Sequence, residues 1–353
     1  MEIIEICGIF DIKGRVVGTA PYGNGHINDT HLITTAADGE IRRYILQKIN
    51  KNVFKNVEAL MSNLSLVTSW QKQRILTEGG NPDNEALCLV YTKSGESRAL
   101  IDGEYYRMYV FIENCISLDK PRNTDDFAES AVAYGKFIKR LQGFDASSLF
   151  DVIPDFHNTP VRYKNLLSAV EEDFLGRSES ALREIAWAAD RQKYCGRITS
   201  LIQTGEIPVR VTHNDMKLNN VLLDKATGKA AAVIDLDTVM KGSTLYDFGD
   251  AIRSGCNTAA ENERNLKLVE FDLDMYNAYA VTFSETADYL VPAERELLAF
   301  SGCLMTYECG IRFLADYLGG DTYFKISYSD ENLVRARTQF KLVEEMERIF
   351  NLN

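Results

Sequence analysis

The sequence predicts an α+β fold of two lobes, an antiparallel-sheet lobe over residues 1–115 and a mostly helical lobe over residues 116–353. Three observations carry this reading. Runs of β-branched and aromatic residues, punctuated by Gly and Asp turns, fill the first third of the chain. Beyond Pro121 the apolar residues recur at helical spacing instead. Between the two regimes, Glu113-Asn114-Cys115-Ile116-Ser117 ends the last strand in polar residues, where a hinge would lie.

Composition narrows the class. The 353 residues suffice for one large or two ordinary domains, and a hydrophobic fraction of 45% is that of a globular chain. A net charge of −12 argues against nucleic acid, whose phosphates recruit basic surface. An anionic nucleotide would need magnesium and a few placed cations to offset that surplus. The start Met1-Glu2-Ile3-Ile4-Glu5-Ile6 lacks the basic residues and cleavage site of a signal peptide. No uninterrupted apolar run approaches the ~18 residues of a membrane span. A cytoplasmic protein without a membrane partner is therefore expected. Seven scattered cysteines without a Cys-x-x-Cys pair read as reduced thiols, and four histidines without paired spacing argue against zinc. The sequence does not set the oligomeric state; a monomer is the default expectation.

Residues 3–10 are an apolar lead-in. Gly18 to Asn28 is a glycine-rich turn between strand-like runs, and such a turn brings backbone N–H groups against phosphate oxygens without Cβ obstruction. It carries neither the Gly-x-Gly-x-x-Gly fingerprint nor a Walker loop, which excludes the common dinucleotide and P-loop readings. An ordinary hairpin turn is the alternative. Asp38-Gly39 turns the chain into a strand at 41–50, where Lys48 is the candidate phosphate-pairing lysine. Gln47 sits on the opposite face, and a one-residue slip exchanges the two. Val57, Leu60, Met61, Leu64 and Val67 give a helix over 53–71, with Glu58 as a partner for Lys48. Strands follow at 86–92, 97–101 and 104–112, joined by Lys93-Ser94-Gly95 and Asp102-Gly103.

In the helical lobe, Thr124 caps a helix whose stripe is Phe127, Ala131, Tyr134, Ile138 and Leu141. Pro160 lies in the first turn of the next helix, and a further helix spans 178–203. Pro292 opens a long helix with Phe300, Leu304, Tyr307, Ile311 and Leu314 on its apolar face, stopped at Gly319-Gly320. Arg312 and Asp316 lie off that stripe. A last helix covers 331–350.

The chemistry concentrates after the apolar entry at Val209 and Val211. There the chain reads His213-Asn214-Asp215-Met216-Lys217-Leu218-Asn219-Asn220, then runs apolar through Leu223. A second apolar strand ends in Asp235-Leu236-Asp237. Phosphoryl transfer needs an Asp to take the hydroxyl proton, with an Asn and a second Asp to hold Mg²⁺. His213, Asp215 and Asn220 stand at the spacing of the kinase loop His-Arg-Asp-x-x-x-x-Asn. An Asp and an Asn five apart also arise from capping and turn chemistry. The added His213, Lys217, flanking strands and strand-terminal Asp235 favour the catalytic reading, and with it a protein-kinase-like fold. Asp247, Asp250 and Arg253 read as buried staples beneath the site.

Three groups of residues carry a resemblance. They are His213-Asn214-Asp215-x-Lys217-x-Asn219-Asn220-Val221, Ile234-Asp235-Leu236-Asp237-Thr238-Val239-Met240 with Tyr246-Asp247-Phe248-Gly249-Asp250-x-Ile252-Arg253, and Gly310-Ile311-Arg312-Phe313-Leu314-x-Asp316-Tyr317-Leu318. With Gly25-x-Ile27-Asn28-Asp29-Thr30 and Leu46-Gln47-Lys48-Ile49-Asn50, they resemble the N-acetylhexosamine 1-kinases of the aminoglycoside phosphotransferase and choline kinase-like family. Two positions depart: Lys241 stands where that family usually carries Pro, and Gln47 competes with Lys48 for its third-strand position. The resemblance implies transfer of the ATP γ-phosphate to the anomeric hydroxyl of N-acetylglucosamine or N-acetylgalactosamine. Asp215 would be the base and Lys217 its catalytic neighbour. Asn220 and Asp235 would hold Mg²⁺, and Gly25, Asn28 and Lys48 the nucleotide. Asp237, Arg312 and Tyr323 would bind the sugar, with an ion-paired Arg and a core Tyr as the plainer alternative for the last two.

Other readings compete. A kinase of the same fold acting on an aminoglycoside, choline, homoserine, methylthioribose or another sugar would share the Asp215 and Asn220 motif, whereas the Leu236-Asp237-Thr238-Val239 and Tyr246-Asp247-Phe248-Gly249-Asp250 segments are much narrower. A nucleotide-binding pseudokinase would have no need of Asp215, Asn220 and Asp235 together.

Overall fold

The computed structural model describes residues 2–23 and 28–352. Helix α1 (Ile3–Cys7) leads into strands β1 (Arg15–Pro21), β2 (Asp29–Ala37) and β3 (Glu40–Lys48). Helices α2 (Val57–Thr77) and α3 (Pro82–Glu85) follow, then strands β4 (Leu89–Val90), β5 (Ala99–Ile101), β6 (Glu104–Val110) and β7 (Cys115–Ile116). Among the described residues one antiparallel sheet has the order β1-β2-β3-β6-β4, with β5 also paired to β6. Both two-residue hairpins close with positive φ, at Asp38 and Gly39 (51° and 81°) and at Asp102 and Gly103 (50° and 77°). That is the backbone twist a tight antiparallel turn demands.

The expected strand at 86–92 forms a ladder only at Leu89–Val90. β7 is not a bare hinge: Cys115 and Ile116 pair with Asp224 and Leu223 further along the chain. One face of the sheet packs Ile33, Tyr44, Leu46 and Met108 against Ile6, Cys7 and Phe10. Helix α2 buries Leu60, Met61, Leu64 and Val67 in the other, larger core. Its Asn63 donates to the carbonyls of Phe150 and Val239, which joins the helix to the far half of the chain.

The remainder is helical around short hairpins: α4 (Thr124–Arg140), α5 (Thr159–Glu172), α6 (Leu182–Asp190), α7 (Arg197–Gln203), β8 (Arg210–Thr212), β9 (Val221–Asp224), β10 (Ala230–Val233), β11 (Met240–Gly242), α8 (Thr244–Gly255), α9 (Leu273–Thr286), α10 (Pro292–Leu318) and α11 (Glu331–Phe350). This is the protein-kinase-like arrangement, an antiparallel sheet followed by a mostly helical part. Asn123, not Thr124, caps α4, its side chain accepting from the Asp126 N–H. The expected single helix over 178–203 is broken into α6, a 3₁₀ turn at Gln192–Tyr194 and α7. Helix α10 is the one described helix long and apolar enough to cross a membrane, yet 83% of that window is buried inside the protein. It is the core spine, flanked by α5, α8 and α11. The seven cysteines are free thiols.

Candidate active site

β8 pairs with β11, and between them the chain turns through Asn214, whose φ of 63° is a left-handed conformation that Asn tolerates. The turn is fixed by side chains reaching its backbone. Asp247 on α8 accepts from the N–H groups of His213 (2.9 Å) and Asn214 (2.6 Å). Thr238 donates to the His213 carbonyl, and Asn214 Nδ2 to the Thr238 carbonyl. His213 is fully buried, its Nε2 meeting the Ile234 carbonyl at 3.0 Å between the ring edges of Tyr134 and Phe137. Burial lowers its pKa, so it is a neutral strut and not a proton carrier.

Asp215 emerges half-buried from this frame. Its Oδ1 lies 2.5 Å from Lys217 Nζ, and its Oδ2 accepts from Asn220 Nδ2 at 3.2 Å, which also donates to the Asp215 carbonyl at 2.9 Å. Burial works against charge on Lys217, but Asp215 and Asp250 together raise its pKa and keep it an ammonium. The Asn220 amide hydrogens thus face Asp215, which leaves its carbonyl oxygen for a cation.

Asp235 sits at φ 60°, just before a 3₁₀ turn at Leu236–Thr238. Its carboxylate takes no hydrogen bond from any described residue, and the residue is exposed although protein lies close around it. Enclosure first, then the neighbouring Asp237 and Asp215 carboxylates, raise its pKa to about 7, against the pull of Arg107 and Lys217. An acid crowded by acids in this way is suited to a divalent cation. Among the described residues no three His, Cys, Asp or Glu side chains form a ligand cluster. Asn220 and Asp235 alone would leave most coordination positions to phosphate oxygens and water, as Mg²⁺ prefers.

Other expected site residues are placed differently. Asp237 is buried, with Oδ1 2.5 Å from Arg107 Nη1 and Oδ2 accepting from Arg107 Nη2 and Asn28 Nδ2, both at 2.8 Å. It is spoken for by an ion pair and is not a free acceptor for sugar hydroxyls. The 3₁₀ turn explains why: two residues after Asp235 it aims Asp237 into the sheet instead of the cleft. Asn28 is spent in the same way, its Oδ1 accepting from the Asn50 N–H at 3.0 Å. Lys48 points to the half-exposed face, 3.8 Å from Glu104, and Glu58 pairs with Arg98 instead of Lys48. Gln47 is the inward residue, its Oε1 accepting from Arg107 Nε (3.0 Å) and Nη2 (2.8 Å). Gly25 lies outside the described residues.

Arg312 and Tyr323 come together. The guanidinium lies over the rings of Phe156, Tyr323 and Phe324 at 5.3, 5.6 and 5.5 Å, and Tyr323 is 64% exposed. Asp316, one turn on, accepts from the N–H groups of Thr322, Tyr323 and Phe324 and so fixes the loop that presents Tyr323. Arg162 is close enough that burial and Arg312 both depress its pKa. Among the described residues neither arginine has an ion-pair partner. His157, which sequence spacing gave no reason to select, links this cluster to the Asp215 turn. Its Nδ1 meets Glu308 Oε1 at 2.8 Å and its Nε2 the Asn214 carbonyl at 3.2 Å. Burial opposes ionisation of Glu308, but His157, Arg312 and Thr159 hold its pKa below normal.

The phosphotransferase enzyme family model matches residues 90–280, more than half of the chain. Solved structures share the fold at low identity. A microcompartment-associated aminopropanol kinase is 15% identical, with 99% of this chain and 98% of that one covered at a TM-score of 0.58. An aminoglycoside phosphotransferase from Alicyclobacillus acidocaldarius is 13% identical, with 99% and 97% covered at 0.59. A choline kinase from Cryptosporidium parvum is 12% identical, with 95% and 90% covered at 0.57. With the Asp215 turn inside the matched segment, the chain belongs to the phosphotransferase enzyme family.

Proposed function

We propose that the protein transfers the γ-phosphate of ATP to the anomeric hydroxyl of an N-acetylhexosamine, N-acetylglucosamine or N-acetylgalactosamine, giving the sugar 1-phosphate. The observation that carries the phosphoryl-transfer half is the Asp215, Lys217, Asn220 and Asp235 constellation around one turn. The sugar half rests on the resemblance of residues 234–253 and 310–318, and on a cationic, aromatic cluster at Arg312.

Asp215 would orient the sugar hydroxyl and take its proton as the oxygen bonds to the γ-phosphorus and the bond to the ADP oxygen breaks. An anomeric hydroxyl is more acidic than an ordinary alcohol, so modest base help suffices. Lys217, already against Asp215, would turn its ammonium to the phosphoryl oxygens once the proton lands on Asp215. Asn220 and Asp235 would hold Mg²⁺, whose charge offsets that of the nucleotide phosphates. Asp247 holds the turn so that Asp215 keeps its aim. At the acceptor, Tyr323 offers an exposed ring for the sugar face and Arg312 a guanidinium for its oxygens.

A cationic amino alcohol is the second reading, favoured by the names of similar solved structures. Two neighbouring guanidiniums, neither with an ion-pair contact among the described residues, count against it, because like charges repel. The test is ATP consumption over a panel of sugars and amino alcohols, with Asp215→Asn as control. Turnover of an N-acetylhexosamine is expected, lowered about 10²–10⁴-fold in the variant. Activity confined to amino alcohols would sink the acceptor assignment.

A further inference from the structure

We propose that Arg107 and Asp237 form an inter-lobe latch that sets the nucleotide-facing sheet in register with Asp235, which makes Arg107 a positioning residue for phosphoryl transfer; this rests on the kinase reading above. The geometry is that of a built device and not of a surface ion pair. The two side chains are 1% and 5% exposed and meet through two parallel N–H···O bonds of 2.5 and 2.8 Å. They are 130 residues apart in sequence. Arg107 belongs to β6, in the sheet, and Asp237 to the 3₁₀ turn that begins at Asp235.

The pair gathers neighbours from separate segments. Gln47 of β3 accepts two guanidinium N–H groups and donates to Thr30 of β2 at 3.1 Å. Asn28 donates to Asp237 and accepts from the Asn50 N–H, so the two ends of the β2–β3 hairpin are tied to the same carboxylate. The ring of Tyr109 lies 5.3 Å from the guanidinium, on the same strand face. Planar, multiply bonded and always charged, an arginine here cannot change partner without leaving a buried charge unmatched. The turn carrying Asp235 therefore cannot shift against the sheet while the latch holds.

A kinase sheet is ordinarily tied to its catalytic machinery by a third-strand lysine paired to a helix acid. That pair is missing: Lys48 is turned to Glu104 and Glu58 to Arg98. Gln47 takes the inward position of β3, and its direct partner in the ladder is Arg107. The cation has moved one strand across the sheet, and its partner from the helix to the turn after the metal acid. Among the described residues nothing in the network touches Arg312 or Tyr323, so the latch should act on nucleotide and metal and not on the acceptor.

The test compares wild type, Arg107→Met, and the double variant Arg107→Met/Asp237→Leu. Replacing a whole buried ion pair by apolar residues restores stability that removal of one partner loses. In the double variant a melting temperature near wild type is expected. Its affinity for ADP with Mg²⁺, measured by calorimetry without acceptor, should be about tenfold or more weaker, with KM for ATP raised alike. The KM for the acceptor should stay within about twofold. Recovery of nucleotide affinity together with stability would overturn the proposal, as would a change confined to the acceptor KM. If wild type binds ADP with Mg²⁺ but phosphorylates no sugar, the acceptor reading falls and the latch stands. If wild type binds no ADP with Mg²⁺, the kinase reading and the latch fall together.

Discussion

The two walls of the cleft are built in opposite ways. On the helical side, Asp215, Lys217 and Asn220 come from six consecutive residues, and their contacts with one another are local. On the sheet side, Asn28, Gln47 and Arg107 come from separate segments; Gln47 bonds Arg107 across the strands, and Asp237 gathers Arg107 and Asn28, across as many as 209 residues of sequence. The difference is one of where specificity is stored. A turn whose groups are near neighbours can be recognised from its spacing. A wall assembled by strand register cannot, because each member is an ordinary polar residue until the sheet brings them together.

The same contrast separates two acids only two residues apart. Asp235 is exposed with no hydrogen bond from a described residue, whereas Asp237 is buried and triply bonded. Treating both as site acids follows from their position at the end of one strand. The left-handed φ at Asp235 and the tight turn after it send the side chains to different places. That is backbone chemistry which an Asp-Leu-Asp sequence does not announce.

Breaking the frame of the helical wall should have the largest effect. Asp247→Asn puts an amide N–H against one of two backbone donors, and kcat should drop about 10²-fold from misplacement of Asp215, with both KM values little changed. A kcat within twofold of wild type would show that the turn holds itself. The same variant isolates a pH effect. Burial raises the Asp247 pKa to about 7, despite the two backbone donors. A folded-state pKa above the unfolded value favours the protonated form on folding. The stability from this group is therefore full below about pH 4 and is lost as pH rises through about 7. Relative to Asp247→Asn, the melting temperature of wild type should fall between pH 5 and pH 8. A gap independent of pH would remove Asp247 from that account.

A smaller effect belongs to the acceptor end. Arg312→Ala should raise the acceptor KM about tenfold while the ATP KM holds, the size of losing one charged hydrogen-bonding group. An unchanged acceptor KM would take Arg312 out of the pocket. The smallest effect tests the sheet wall by its outward residue. Lys48→Ala removes a half-exposed ammonium whose ion-pair contact among the described residues is Glu104, and kcat and both KM values should stay within about twofold. A large rise in ATP KM would mean that Lys48, not the Arg107 network, serves the nucleotide.

How much was legible follows the same division. The α+β order, the long buried helix from Pro292 and the Asp215 turn were readable because short-range pattern decides them. The break of the 178–203 helix was not, since the polar run Asp190-Arg191-Gln192-Lys193 reads equally as a solvated helix face and no proline marks the 3₁₀ turn at Gln192–Tyr194. His157 and Glu308 were illegible for a different reason: one buried His and one buried Glu carry no spacing signal until α10 packs beside α5. Arg312 and Tyr323 could be paired from the sequence because one helix and its terminating turn hold both.

The most direct test of the central claim is ³¹P NMR of the reaction of ATP, Mg²⁺ and N-acetylglucosamine, for wild type and Asp215→Asn side by side. The account predicts a phosphomonoester coupled to the anomeric proton of the sugar for wild type, formed about 10²–10⁴ times more slowly by the variant. A phosphate on any other hydroxyl, or equal rates for the two proteins, would contradict it.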